Sequence, residues 1–215
     1  MGFINGTNIS NMLRAVASSL NYPVMIILLI LLAAAVFFAG SLIVEIFTER
    51  RHLKVKMPQL VDALKSGEKS TEETIAESGL LKLQKNALIE LTRHPELTTD
   101  MREALAVRLL EEEQARFDRR VMITDLISKL GPMFGLLGTL IPLGPGIIAL
   151  GQGDTYTLST SLLTAFDTTI VGLISAAVAM LISTVRKGWY GNYMSILEAL
   201  TECVLEVEKK NAEEE

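Results

Sequence analysis

Asp167 is the single charged residue in the stretch from about Leu158 to Val185, which is otherwise apolar, small or hydroxyl-bearing. A carboxylate near the middle of a bilayer costs about 2.5 to 3.5 kcal/mol on insertion scales, so such a residue normally has a task. It is either protonated and tolerated, or it lines a hydrated path and exchanges an ion. Around it Ser161, Thr164, Thr168, Gly172, Ser175, Ala179 and Ser183 recur at steps of three and four, which places them along one helix face. Their hydroxyls can bond helix to helix in lipid or line a narrow polar conduit, and the spacing allows both.

A second apolar stretch, Leu130 to Leu150, carries Gly131, Gly135 and Gly138 at similar steps. Side chains this small let a neighbouring backbone approach closely. Pro142, Gly144, Pro145 and Gly146 follow and predict a kinked or unwound outer end. Non-helical backbone at that depth is tolerated when it is buried in protein or faces water, which points to an assembly or a cavity.

These residues require elements that cross a membrane. From Pro23 to Val44 the chain carries no charge, and at about 1.5 Å per residue this run crosses a hydrocarbon core of roughly 30 Å. Mixed and polar residues precede it, so it reads as a retained helix rather than a signal peptide. The short polar link Gly151-Gln152-Gly153-Asp154 makes the second and third spans an antiparallel hairpin. Arg50, Arg51, Lys54 and Lys56 follow the first span against Arg14 before it. Arg119, Arg120 and Lys129 precede the second span, Arg186 and Lys187 follow the third, and the hairpin link has no basic residue. Basic flanks stay in the cytoplasm, so the N-terminus is expected outside and the C-terminus inside.

The expected organisation is an external segment over 1–22, spans over 23–44, 130–150 and 158–185, and an external turn over 151–157. A helical cytoplasmic domain occupies 45–129, and a cytoplasmic helix with an acidic tail, read as frayed at its end, occupies 186–215. The fold class is an all-α membrane protein whose long helices extend into that domain. Ser70 followed by Glu73 has capping-box spacing for a helix running toward Arg93, ended by Pro95. After Thr98-Thr99 a helix with apolar Leu105, Leu109, Ala115 and Val121 runs into the second span without a breaker. Glu111, Glu112 and Glu113 read as a solvated face, because successive helical side chains point about 100° apart and do not converge on an ion. Tyr193, Leu197, Leu200, Val204 and Val207 form an amphipathic stripe that packs on the protein's own helices.

Composition narrows the function. The chain has 215 residues, 49% hydrophobic, and a net charge of −5, which offers no basic surface for nucleic acid. One cysteine, Cys203, reads as a packing residue, and His52 and His94 have no second ligand three or four residues after them, so no metal site is expected. No phosphate loop and no Ser, His and Asp group stands out; an enzyme and a cofactor are not expected.

The segment Gly131-Pro132-Met133-Phe134-Gly135-Leu136-Leu137-Gly138-Thr139 closely resembles the "AP-x-x-GLLGT" signature of the MotA/TolQ/ExbB proton-channel family. Leu162 to Leu173, followed by Ser175-Ala176-Ala177, is similar to that family's "AL-x-TT-x-x-GL-x-x-A" motif in the third span. The likeness covers about Arg116 to Tyr190, and three spans with one large insertion resemble the ExbB and TolQ branch. It implies a pentameric ring around a dimer of a single-span ExbD/TolR/MotB-like partner, whose intramembrane aspartate binds and releases ions. It implies that Thr139 and Thr169 line the pore, with Thr164, Thr168 and Asp167 as further candidates on the ion path. Gly131, Gly135, Gly138 and Gly172 would serve helix packing, with Pro142 and Pro145 as the kink. Some members carry an acidic residue one turn before the threonine pair, where this chain has Thr164. The resulting expectation is a stator subunit of the plasma membrane that converts proton or sodium flux into motion. The alternative is a structural scaffold whose small and hydroxyl stripes serve subunit packing alone; a substrate transporter is less suited, because three spans show no internal repeat.

Overall fold

The computed structural model describes residues 6–49, 60–63, 71–80, 82–94 and 97–214, and among these residues the chain is helical without a strand. The principal helices are α1 Gly6–Ser19, α2 Asn21–Glu49, α3 Thr71–Glu77, α4 Lys82–Thr92, α5 Thr99–Gly151 and α6 Thr155–Glu214. Three helical stretches are long and apolar enough to cross a membrane, lying within Asn11–Phe47, Thr99–Gly151 and Thr155–Val207. In lipid every backbone N–H and C=O must find its partner within the protein, which a helix does residue by residue. The basic residues Arg50, Arg51, Lys54 and Lys56, together with His52, Gly67, Ser70 and Pro95, lie outside the described residues.

The expected fusion of cap, polar helix and second span is borne out: α5 starts at Thr99 and runs unbroken for 53 residues. It contains Pro132, Pro142 and Pro145, so the expected unwinding near Pro142 is corrected. A proline removes one donor from the ladder, yet neighbouring bonds and packing hold the helix through it. The third span likewise continues as α6 for 60 residues, and Glu213 and Glu214 of the acidic tail, expected to fray, still belong to the helix. The helix expected from Ser70 to Arg93 is instead two, because Ser78 and Gly79 interrupt it. The Ser78 N–H and hydroxyl both bond the Ile75 carbonyl, which uses the acceptor that a continuing helix would need.

The link between α5 and α6 is built by its sequence. Gly153 takes φ +78°, the left-handed conformation that glycine adopts without a steric cost. The Gly153 N–H bonds the Leu150 carbonyl at 3.1 Å and the Asp154 N–H bonds the Ala149 carbonyl at 2.9 Å, closing the end of α5. Asp154 then caps α6: its carboxylate accepts from the Thr157 N–H at 3.0 Å and from the Thr157 hydroxyl.

The chain forms two compact units, and α5 and α6 contribute to both. One comprises Met1–Ser41 and Met122–Ser183. There Ile27, Leu31, Ala34, Ala35 and Phe38 of α2 pack with Ile127, Leu130 and Phe134 of α5 and Val178 and Ala179 of α6.

The other unit comprises Leu42–Val121 and Thr184–Glu215. Its core joins Ile75, Leu88 and Leu91 to Ala106, Phe117 and Val121 of α5 and to Tyr193, Leu197, Leu200, Cys203 and Val204 of α6. The stripe from Tyr193 to Val204 is therefore an internal packing face, as its spacing predicts. Phe117 stacks on Tyr190 with ring centroids 4.5 Å apart, and buried Gln84 donates to the Tyr193 carbonyl at 3.0 Å. The α5 stripe is shifted from the expected one, since Ala115 is exposed while Ala106 and Phe117 are buried. Glu113 falls on that stripe, seven residues after Ala106 and four before Phe117. It is buried, whereas Glu111 and Glu112 are exposed, which corrects the reading of all three as solvated. Burial pushes the Glu113 carboxyl above the ordinary carboxylate range, and Arg116, 2.9 Å away, and Arg120 partly offset this.

An ion pair missed by composition also lies in this unit. Arg186 Nη2 and Nε donate to Glu45 Oε2 at 2.9 and 3.1 Å, and the Tyr190 hydroxyl donates to Glu45 Oε1 at 2.9 Å. Arg186 is buried and Glu45 nearly so, at 6% and 12% side-chain exposure, so the pair is shielded from water.

Two outcomes are expected. Glu45→Gln removes the charge from the carboxylate that Arg186 binds twice and lowers stability by about 3 to 5 kcal/mol, measurable by chemical unfolding in detergent. Hydrogen bonds from Thr157 hold the Asp154 carboxyl below its ordinary value of 3.8, so its stabilisation is present at neutral pH and is lost as pH falls through that lowered value. Asp154→Ala should therefore lower the melting temperature at pH 7, with the gap to the parent protein closing progressively in acid.

Candidate functional site

The α5–α6 hairpin is held by contacts at backbone distance. A Cβ placed on Gly172 would stand 2.5 Å from the Gly131 carbonyl oxygen and 2.9 Å from the Gly135 Cα. One placed on Gly138 would stand 2.6 Å from the Thr168 Cβ, and one on Gly146 would stand 3.0 Å from the Ser161 Cβ. The expected close approach at Gly131, Gly135 and Gly138 thus has its partner within the same chain. Gly144 has nothing within 4 Å of its Cβ position and takes no part in the seam.

These contacts set an antiparallel register in which Gly131 meets Ala176, Gly135 meets Gly172, Gly138 meets Thr168 and Gly146 meets Ser161. Thr139 is the residue after Gly138, and Thr169 the residue after Thr168. Viewed from one end, successive residues of antiparallel helices turn in opposite senses, so both threonines rotate to the same side of the seam. They stand at one level, and Thr169 Cα lies 3.7 Å from the Gly135 Cβ position, one turn before Thr139. Leu130 and Phe134 precede seam glycines and so lie on the other side, which is where α2 packs. The threonine side is not the one covered by α2.

Both threonines are half-buried. The Thr139 hydroxyl donates to the Leu136 carbonyl at 2.7 Å, and the Thr169 hydroxyl to the Ala165 carbonyl at 3.0 Å. With each hydroxyl hydrogen held by its own helix, the oxygen lone pairs are left as acceptors for a cation or a protonated group. Leu136, Phe166 and Leu173 are exposed nearby, so the acceptors lie in an otherwise apolar setting.

The remaining candidates fall elsewhere. Thr168 is buried at 8% exposure against Gly138, and Ser175, Ala179 and Ser183 are also buried, so most of the hydroxyl stripe packs inside the hairpin. Thr164 is half-buried and bonds the Thr160 carbonyl at 3.0 Å. Asp167 is exposed and precedes Thr168, which turns it to the side away from Thr169, about 160° around the helix from it. The structure thus brings together Thr139 and Thr169 and separates them from Thr164 and Asp167. Pro142 is buried and Pro145 exposed, both within α5.

Sequence reasoning passed over Asp125. It lies before the uncharged second stretch and reads as one more polar residue there. In the structure its Oδ1 accepts from the Ser183 hydroxyl across the hairpin.

A polytopic helical protein with an antiparallel hairpin sealed by glycines and carrying paired threonines on one flank is built like a membrane ion-path subunit. The chain belongs to the MotA/TolQ/ExbB proton channel family, whose model matches residues 67–199, a segment that includes both motifs. Membership implies a proton-channel role in a membrane energy-transducing complex, and the family usually works with an ExbD/TolR/MotB-type partner in the membrane. A search of curated proteins finds no match to the chain.

The seam predicts opposite signs for two alanine substitutions. Gly144→Ala adds a methyl in open space and should stabilise the helix by about 0.5 to 1 kcal/mol. Gly172→Ala drives a methyl into the α5 backbone and should lower the unfolding temperature in detergent, although the intrinsic helix preference of alanine acts in the other direction.

Proposed function

We propose that the chain is the ion-conducting stator subunit of a motor complex in the plasma membrane. In this reading it passes protons, or sodium ions, between itself and a single-span partner and converts their flow into mechanical work. The spans are those at 23–44, 130–150 and 158–185, with the N-terminus outside and the segments 45–129 and 186–215 in the cytoplasm. Five copies form a ring around the partner helices, and the partner's intramembrane aspartate faces the ring. Thr139 and Thr169 receive that aspartate.

The observation that carries this reading is the placement of the two threonines at one level on the flank that α2 leaves uncovered. A ring needs one face of each hairpin directed to its axis, and this flank supplies acceptor oxygens in apolar surroundings. The hydroxyls of Thr168 and Ser175 support packing instead, so conduction does not rest on the whole stripe. Asp167, on the other flank, is suited to the boundary with a neighbouring subunit or lipid. The ExbB and TolQ branch is favoured by three spans with a single large insertion.

Thr139→Val and Thr169→Val keep side-chain shape while removing the acceptor oxygen. Each should leave the complex with its partner intact by size-exclusion chromatography and lower proton uptake by reconstituted vesicles about tenfold or more. Unchanged flux in both variants would show that the assigned pore face is wrong. Altered oligomer size with no ion flux in the parent protein would favour a scaffold.

A further inference from the structure

The threonine pair has a counterpart deeper in the same hairpin. Asp125 precedes Thr139 by fourteen residues, and Ser183 follows Thr169 by the same number. Residues two heptads apart lie within about 40° of one another around a helix and about 21 Å apart along it. Because α5 and α6 are antiparallel, both steps run in the same direction, and Asp125 and Ser183 meet again at one level. The Ser183 hydroxyl donates to Asp125 Oδ1, which is the direct sign that this register persists to the end of the hairpin.

The flank is also the same. Thr124, the residue before Asp125, is fully buried at 0% exposure, so Asp125 turns off the seam in the sense that Thr139 turns after Gly138. Ile127 and Leu130, which contact α2, turn the other way. Asp125 is half-buried, Ser183 is 3% exposed, and the pair borders the uncovered side.

We propose that Asp125 is the inner-mouth acid of the ion path, which takes up the proton after it leaves the threonine level and gives it to water on the cytoplasmic side. Ser183 is its positioning residue. The inference rests on the stator reading above. The step is a simple transfer. A proton carried by water forms an O–H bond on the Asp125 carboxylate and leaves that water neutral, and the reverse transfer to a second water restores the carboxylate. A hydroxyl donor stabilises the charged form between transfers and holds the carboxylate toward the uncovered flank. Separation by about 21 Å exceeds any direct hydrogen bond, so the two levels are joined by water.

The test uses the complex of the full chain with its co-purifying single-span partner, reconstituted in vesicles enclosing a pH-sensitive dye under an imposed membrane potential. Asp125→Asn keeps an oxygen that accepts from Ser183 but binds no proton, so proton flux should fall about tenfold or more while complex size is unchanged. Asp125→Glu should recover most of that flux. Ser183→Ala removes the clasp and leaves the carboxylate, and should retain flux within about threefold. Parent-like flux in Asp125→Asn, with Thr139→Val still impaired, overturns the inference and leaves the stator reading standing. Disassembly in both Asp125→Asn and Ser183→Ala overturns it too, since the contact would then be only a clasp. Absence of flux in the parent complex removes both readings.

Discussion

Two helices approach at backbone distance where Gly135 meets Gly172, and a methyl group on Gly172 would collide with the opposite main chain. In lipid there is little hydrophobic gain from pressing apolar helices together, so such close packing supplies the attraction between them. It also leaves no freedom to slide. A shift of one residue would drive Thr168 off Gly138 and put a side chain against the Gly172 backbone. The seam thereby fixes which residues stand opposite each other from Ser161 to Ala176.

That register has chemical consequences. Threonine hydroxyls that are separated by about thirty residues of sequence come to one level, with their hydrogens committed to their own helices and their oxygens left as acceptors. The same geometry turns Asp167 away, although it is the costliest side chain of the third span. Farther along, the opposite arrangement holds at Glu45 and Arg186, where charges are buried because each has a partner with matched hydrogen bonds. A proton-channel subunit can use both kinds of site: acceptors that bind and release a cation, and paired charges that hold helices together.

Much of this was legible in the residues. Uncharged runs marked the spans, the Gly151–Asp154 link implied a hairpin, and the lack of a breaker after Thr99 predicted one helix where a domain boundary falls. These signals are local, since helix continuity and turns depend on neighbours a few residues away. The less legible parts have equally physical causes. Ser78 and Gly79 split a helix because a serine competes for a backbone carbonyl, an effect that apolar periodicity does not register. The buried phase of α5 runs through Ala106, Glu113 and Phe117 rather than Ala115, because alanine and glutamate report weakly on which side faces a neighbour.

The hydroxyl stripe of the third span shows where local information ends. Its spacing established one helix face, and the glycines of the second span established a surface for close approach. Neither could say that the two faces meet each other, because each face would read identically if it packed on another subunit. Contact between Gly138 and Thr168 assigned most of the stripe to packing and left Thr139 and Thr169 on the flank that α2 does not cover. Asp125 was harder still, since its meaning depends on Ser183, far along the chain on another helix. Residue types and periods state what an element can do, whereas the choice of partner is made by three-dimensional register, which no single helix contains.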